Sequence, residues 1–373
     1  MTTATQPITA VRAPQKERRV VQLDFVRGIA ILLVLEYHFT STPGTSLNIV
    51  ERFFNRTGWM GVDLFFVLSG FLVGGLLVQE LLITGGVRVR RFLVRRMLKI
   101  WPAYYFYLLV QIVIRRHPLS TFLWQNGLNV QNYFETSLKH TWSLAVEEHF
   151  YLLLPAALLL IFRARFLRAR TGYVLAGVCG LVLAGRVVTE IIAGPGRWEL
   201  DTHARLDELL FGVLLSYILY SSKETFHKLT QQRVVCIIAT IAVFVIAAIV
   251  PKDGTYMATV GYSMNYLCFG CLVLLIYGYN GWASRTRIYG WIAWIGRYSY
   301  GIYLWHVSVR DPVHSLVNHL PHRLQGVCLF VGEYAAAIVL GVILTKAIEF
   351  PVLRIRDRLI PRGEAHLAPS APA

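Results

Sequence analysis

Ten mainly apolar runs divide the chain, over 23–42, 59–83, 97–114, 141–162, 172–193, 203–221, 234–250, 255–279, 288–309 and 326–350. A helix needs about 20 such residues to cross the hydrocarbon core of a bilayer. In hydrocarbon, each unpaired backbone N–H or C=O costs several kcal/mol, so only helices or closed barrels can span it. These runs are too long and too evenly apolar for barrel strands. The predicted fold is therefore all-α, a polytopic bundle of about ten transmembrane helices. Within 373 residues no room remains for a soluble catalytic domain of ordinary size, about 100 residues or more.

Composition supports that reading. Charged residues make up 16% of the chain, where soluble proteins carry about 25%. The net charge of +16 could suggest nucleic acid, but basic cytoplasmic loops account for it, and no nucleic-acid partner is expected. The five cysteines lie in apolar stretches, as small buried hydrophobes do, and no metal-ligand spacing accompanies them. No metal is expected.

With the N-terminus placed in the cytoplasm, the inner segments carry 23 Lys and Arg and the outer segments 9. The positive-inside bias thus predicts that both termini are cytoplasmic. Residues 1–20 hold Arg12, Lys16, Arg18 and Arg19 without the apolar centre of a signal peptide. They are predicted to be a disordered cytoplasmic N-terminus. A membrane domain over 21–352 follows, and 353–373 is predicted to be a largely disordered cytoplasmic tail.

An ionisable side chain inside a span costs about 2.5–3.5 kcal/mol on insertion scales, so each one needs a reason. On the predicted topology, His38, Asp63, Trp142 with Glu147, Glu148 and His149, Arg205 with Asp207 and Glu208, and His306 all fall near the outer membrane level. Acids, bases and hydrogen-bond donors from stretches far apart in sequence converge there. On the inner side lie Arg27, low in the first span, and the basic loop Arg88, Arg90, Arg91, Arg95, Arg96 and Lys99. Arg27 and His38 share one helix face about 16 Å apart along the axis. A phosphate-bearing ligand with an arm of pantetheine length, held by the inner cations, would bring its far end near His38.

Leu23-Asp24-Phe25-Val26-Arg27-Gly28-Ile29-Ala30 with His38, Gly61 to Phe71 (GVDLFFVLSGF), Arg95 to Tyr104, Thr141 to Tyr151 (TWSLAVEEHFY), Arg205-Leu206-Asp207 and Tyr298 to His306 form an ordered series. It resembles the integral-membrane acyltransferase type 3 family, which includes bacterial O-acetyltransferases of surface polysaccharides. The chain departs from that pattern at Lys99, which stands for a second Arg, and at His149, which stands for Gln. Lys still neutralises phosphate but lacks the bidentate fork.

The resemblance implies an O-acyltransferase in the cell (inner) membrane. It would move an acyl group, expected to be acetyl, from cytoplasmic acyl-CoA (acetyl-CoA) to a hydroxyl of a glycan, glycolipid or small molecule at the outer face. It implies that His38 is the base that takes the acceptor's proton, with an acyl-histidine route as the competing path. Glu147 either orients His38 or is a structural carboxylate at a helix N-terminus. Arg27, Arg96 and Lys99 are the expected contacts of CoA phosphates. Asp63, Trp142, Glu148, Arg205, Asp207 and His306 are the expected acceptor contacts. Asp201 and Arg205, spaced i, i+4, could instead simply pair. The alternative function is a transporter or channel that uses the polar cluster as a relay; such proteins often carry inverted repeats, and none is found in this sequence.

Overall fold

The computed structural model describes residues 20–39, 48–115, 119–134, 136–194, 196–252, 254–277, 279 and 281–361. Positions 1–19 of the expected N-terminal segment and 362–373 of the expected tail lie outside the described residues. Among the described residues every regular element is a helix. They run as α1 (Val21–His38), α2 (Asn48–Thr57), α3 (Gly61–Ser69), α4 (Gly75–Thr84), α5 (Val89–Arg115), α6 (Leu119–Gly127), α7 (Trp142–Arg163), α8 (Arg165–Arg168) and α9 (Thr171–Ala193). The second half holds α10 (Thr202–Ser221), α11 (Lys223–Gln231), α12 (Arg233–Ile249), α13 (Tyr262–Ile276), α14 (Arg287–Arg297), α15 (Ser299–Trp305), α16 (Arg310–Val317), α17 (His322–Leu344) and α18 (Phe350–Leu359). The expected tail from 353 thus begins inside a helix.

Six of these helical stretches are long and apolar enough to cross a membrane, or seven if the pair α11 and α12, bent by 64°, counts as one span. That is fewer than the ten expected. Part of the shortfall has a chemical cause. The 18 residues of α1 include Asp24, Arg27 and Glu36, and α10 carries Arg205, Asp207 and Glu208 close together. The expected ninth span is broken at Tyr298, where α14 gives way to α15. Helical turns at Gly58–Met60 and Gly70–Gly74 join α2, α3 and α4 into a rod over Arg52–Thr84, which is 83% buried in its apolar window. The apolar rim points the other way: Leu181, Ile191 and Ile192 of α9 are 72%, 77% and 79% exposed. A water-facing surface would not tolerate that many large aliphatics, so this face meets lipid.

Close backbone contacts set the inner geometry. The α14 helix lies against α1, with the Phe25 and Tyr289 rings stacked at 3.9 Å between centroids. The α10 helix crosses the α3–α4 rod where two glycines meet. A Cβ added at Gly212 would lie 2.6 Å from Phe71 N and 2.9 Å from the Gly70 carbonyl carbon. Small residues at such crossings let helices approach closely enough for van der Waals attraction to hold them in lipid. Gly212→Ala is therefore expected to cost about 1–3 kcal/mol by overpacking. A melt followed by size-exclusion fluorescence in detergent checks this, and an unchanged melting temperature would show that the crossing relaxes freely.

Candidate active site

A cavity of ≈ 120 Å³ opens between α1, α3, α5, α7 and α15. Arg27 of α1 and Arg96 and Lys99 of α5 line it, with Glu147, Glu148 and Tyr151 of α7. Each acid in it has a defined partner. Tyr151 donates to Glu147 Oε2 at 2.8 Å, so its neighbour Ser69, at 2.5 Å, must donate to the Tyr151 oxygen. Trp101 Nε1 donates to Glu148 Oε2 at 3.0 Å, while Glu148 Oε1 is buried without a hydrogen-bond partner among the described residues. Arg27 is paired with Asp24 at 3.1 Å. Arg96 stands over the Phe92 and Tyr151 rings at 5.7 and 5.9 Å. Neither Arg96 nor Lys99 has a salt bridge or hydrogen bond to another described residue. Two cations so placed are a site for an anion.

Ser143 and Tyr303 also line the cavity, and the Tyr303 ring in turn packs against a cluster of histidines that do not line it. The His38 and His306 rings meet edge to face at 4.7 Å between centroids, and His140 lies 5.4 Å from His306. His38 Nδ1 donates to the Val34 carbonyl at 3.0 Å, and His306 Nδ1 donates to the Tyr303 carbonyl at 2.6 Å. A proton on Nδ1 leaves Nε2 of a neutral imidazole as a bare acceptor. In His306 that atom is buried and has no partner among the described residues. His38 is partly exposed and does not line the cavity.

A third group is sealed among α3, α9, α10 and α13. Arg186 holds Asp207 in a bidentate pair at 2.8 and 2.7 Å, both side chains fully buried, and also donates to Ser263 Oγ at 2.6 Å. Arg205 pairs with Asp63, lies 3.2 Å from Glu208 and stands 3.8 Å over the Tyr262 ring. Asn265 donates to the other Asp63 oxygen at 2.8 Å. The Trp142 ring lies 5.5 Å from the Arg205 guanidinium and edge-on to Phe66.

The expected outer cluster and inner cations are thus arranged as three groups. Arg27, Arg96, Lys99, Glu147 and Glu148 share the cavity; His38 and His306 are together; Asp63, Arg205 and Asp207 are internal, with Trp142 against them. Glu147 does not hydrogen-bond to His38: Glu147 Oε2 accepts from Tyr151 in the cavity, while His38 lies outside the cavity lining with Nδ1 on the Val34 carbonyl. Glu147 stands seven residues beyond His140, about 10 Å of helical rise. His149 donates to or accepts from Thr202 Oγ1 at 2.7 Å and so joins α7 to α10. Sequence reasoning passed over Arg186, Tyr303 and His140. Arg186 did carry a signal, the lone cation of a mainly apolar helix; Tyr303 lies in the Tyr298 to His306 block without a role assigned to it, and His140 carried no signal.

Residues 20–346 match the model of the Acyl_transf_3 acyltransferase domain family. The chain belongs to this family. Among curated relatives it is 27% identical over 327 residues to a Staphylococcus aureus protein named "Putative O-acetyltransferase", across 81% of this chain and 52% of that protein. It is 25% identical over 372 residues to the peptidoglycan O-acetyltransferase OatA of Listeria monocytogenes, across 89% of this chain and 56% of that protein. The chain spans about half the length of the curated relatives it matches. No solved structure matches it at a significant level. The Acyl_transf_3 match covers the cavity and the histidine cluster.

Proposed function

We propose that the chain is a membrane O-acyltransferase that takes an acetyl group from cytoplasmic acyl-CoA and transfers it to a hydroxyl of a glycan or glycolipid at the opposite face. The observation that carries this reading is the set of three cations in one cavity, Arg27, Arg96 and Lys99, of which Arg96 and Lys99 make no salt bridge to another described residue although Glu147 and Glu148 line the same space. Such a site suits the phosphates of a CoA thioester. The names of the relatives support O-acetyl transfer, and the basic bias of one set of loops supports an inner-membrane protein with both termini in the cytoplasm.

In this reading His38 is the base. With Nδ1 held by the Val34 carbonyl, Nε2 takes the acceptor proton as the oxygen attacks the thioester carbonyl, and CoA leaves as thiolate. His306, edge-on to His38, offers its unpartnered Nε2 to a neighbouring hydroxyl of the acceptor, since the reacting proton goes to His38. Glu147 fixes Tyr151 on the cavity wall. Tyr303 stands between the cavity and the histidines, so the acyl carbonyl meets His38 alongside its ring. Asp63, Arg205 and Asp207 act as an internal brace, with Trp142 against it. Arg96→Ala and Lys99→Ala are each expected to raise KM for acetyl-CoA about tenfold or more with kcat little changed, since charge-assisted hydrogen bonds are worth about 1.5–3 kcal/mol. Initial rates with labelled acetyl-CoA in membranes check this, and an unchanged KM in both variants would remove the anion site.

A further inference from the structure

Tyr303 touches both the cavity and the histidine cluster. On one side it lines the cavity. On the other its ring packs against His306 and His140, with centroids 5.5 and 6.4 Å away. Its single hydroxyl proton goes to the His140 carbonyl at 2.6 Å, so Ser143, at 2.5 Å, must donate to the Tyr303 oxygen. Phe65 meets the ring edge-on at 6.3 Å. Two buried hydrogen bonds and three aromatic neighbours therefore hold this ring between the cavity and the histidines.

The cavity differs in chemistry along α7. Arg96 stands 5.9 Å over the Tyr151 ring, while Tyr303 is hydrogen-bonded to Ser143, eight residues before Tyr151 on α7 and so about 12 Å away along that helix; Val62, Phe65 and Leu144 also line the cavity. A thioester held by its phosphates at the cations points its acyl group toward Tyr303. We propose that Tyr303 determines donor specificity: its side chain closes the cavity at the acyl end and limits the seated group to acetyl size. This inference rests on the acyl-CoA reading above.

Donor binding and transfer separate the two. Purified full-length protein is titrated with acetyl-CoA, butyryl-CoA and free CoA, and labelled acyl transfer is followed in membranes. Tyr303→Ala is expected to raise the butyryl-to-acetyl ratio, in affinity and in rate, by about tenfold or more, the discrimination a well-fitted apolar pocket gives per methylene. Affinity for free CoA is expected to stay within twofold or so, a split that a merely structural role would not produce. Tyr303→Phe keeps the ring and is expected to keep the wild-type ratio. Tyr303→Leu, which opens less space, serves if the alanine variant does not fold. An unchanged ratio in a folded Ala or Leu variant that binds acetyl-CoA overturns the proposal alone. Failure of the wild-type protein to bind either thioester overturns the donor reading and this proposal together.

Discussion

His38→Ala is expected to lower acyl transfer by about 10²–10⁴-fold, the range that a positioned general base contributes. A thiolate leaves a thioester readily, so activation of the leaving group contributes little. The acceptor alcohol is a poor nucleophile until its proton is taken, and the base therefore carries most of the residue-specific effect. The geometry favours His38 for this work. Its Nδ1 hydrogen bond to the Val34 carbonyl fixes the ring on its own helix and leaves Nε2 as acceptor. The side chain is partly exposed but packs against the Tyr37 and His306 rings, so a melt separates lost stability from lost chemistry. The measurement is transfer of labelled acetyl from acetyl-CoA in membranes, beside a melt of each variant. The competing acyl-histidine path makes a further distinction: trapping of labelled acetyl on the wild-type protein, lost in His38→Ala, would assign the covalent route. A folded His38→Ala protein with a rate within threefold of wild type would dismiss the base, since a contribution that small falls below what general-base catalysis supplies.

Arg186→Met is expected to destabilise the bundle by about 3–5 kcal/mol, the cost of stranding one member of a buried ion pair. Asp207 would lose both guanidinium hydrogen bonds, at 2.8 and 2.7 Å, in a fully buried site. The Ala204 carbonyl and Ser263 hydroxyl would lose their partner as well, at 2.7 and 2.6 Å. Replacing both charges tests the origin of the effect. Taking two ions out of water costs about as much as their attraction returns, so a well-packed apolar pair often matches or exceeds the ion pair. Arg186→Met with Asp207→Leu should therefore recover most of the stability that Arg186→Met loses. Thermal melts of wild type, both single variants and the double variant form the cycle. If the double variant is no more stable than Arg186→Met, the loss lies in packing around α9 and not in the uncompensated carboxylate.

Part of the site is legible in the order and spacing of the residues. Arg27, Arg96 and Lys99 read as inner cations from the topology, and the cavity gathers all three. His38 and His306, 268 positions apart in the sequence, read as neighbours at one membrane level, and their rings touch. Glu147 reads at that same level and instead lines the cavity with the cations, because a helix drops 1.5 Å per residue and α7 starts above it. Arg205 reads as a contact for the acceptor or a partner of Asp201, and it pairs with Asp63 on a different helix.

The sequence by itself determined that this chain is a helical membrane protein of the acyltransferase family, and which few ionisable groups lie within its spans. Those properties follow from hydrocarbon length, backbone satisfaction and the order of motifs along the chain, which are one-dimensional. Only the tertiary structure decided how the polar groups divide into a cationic cavity, a histidine cluster and a sealed ion-pair network, and that Tyr303 stands between the first two. Height in the membrane can be counted from residue number. Which side chains meet depends on how each helix is rotated about its axis and how closely its neighbours approach, and packing among many helices sets both at once.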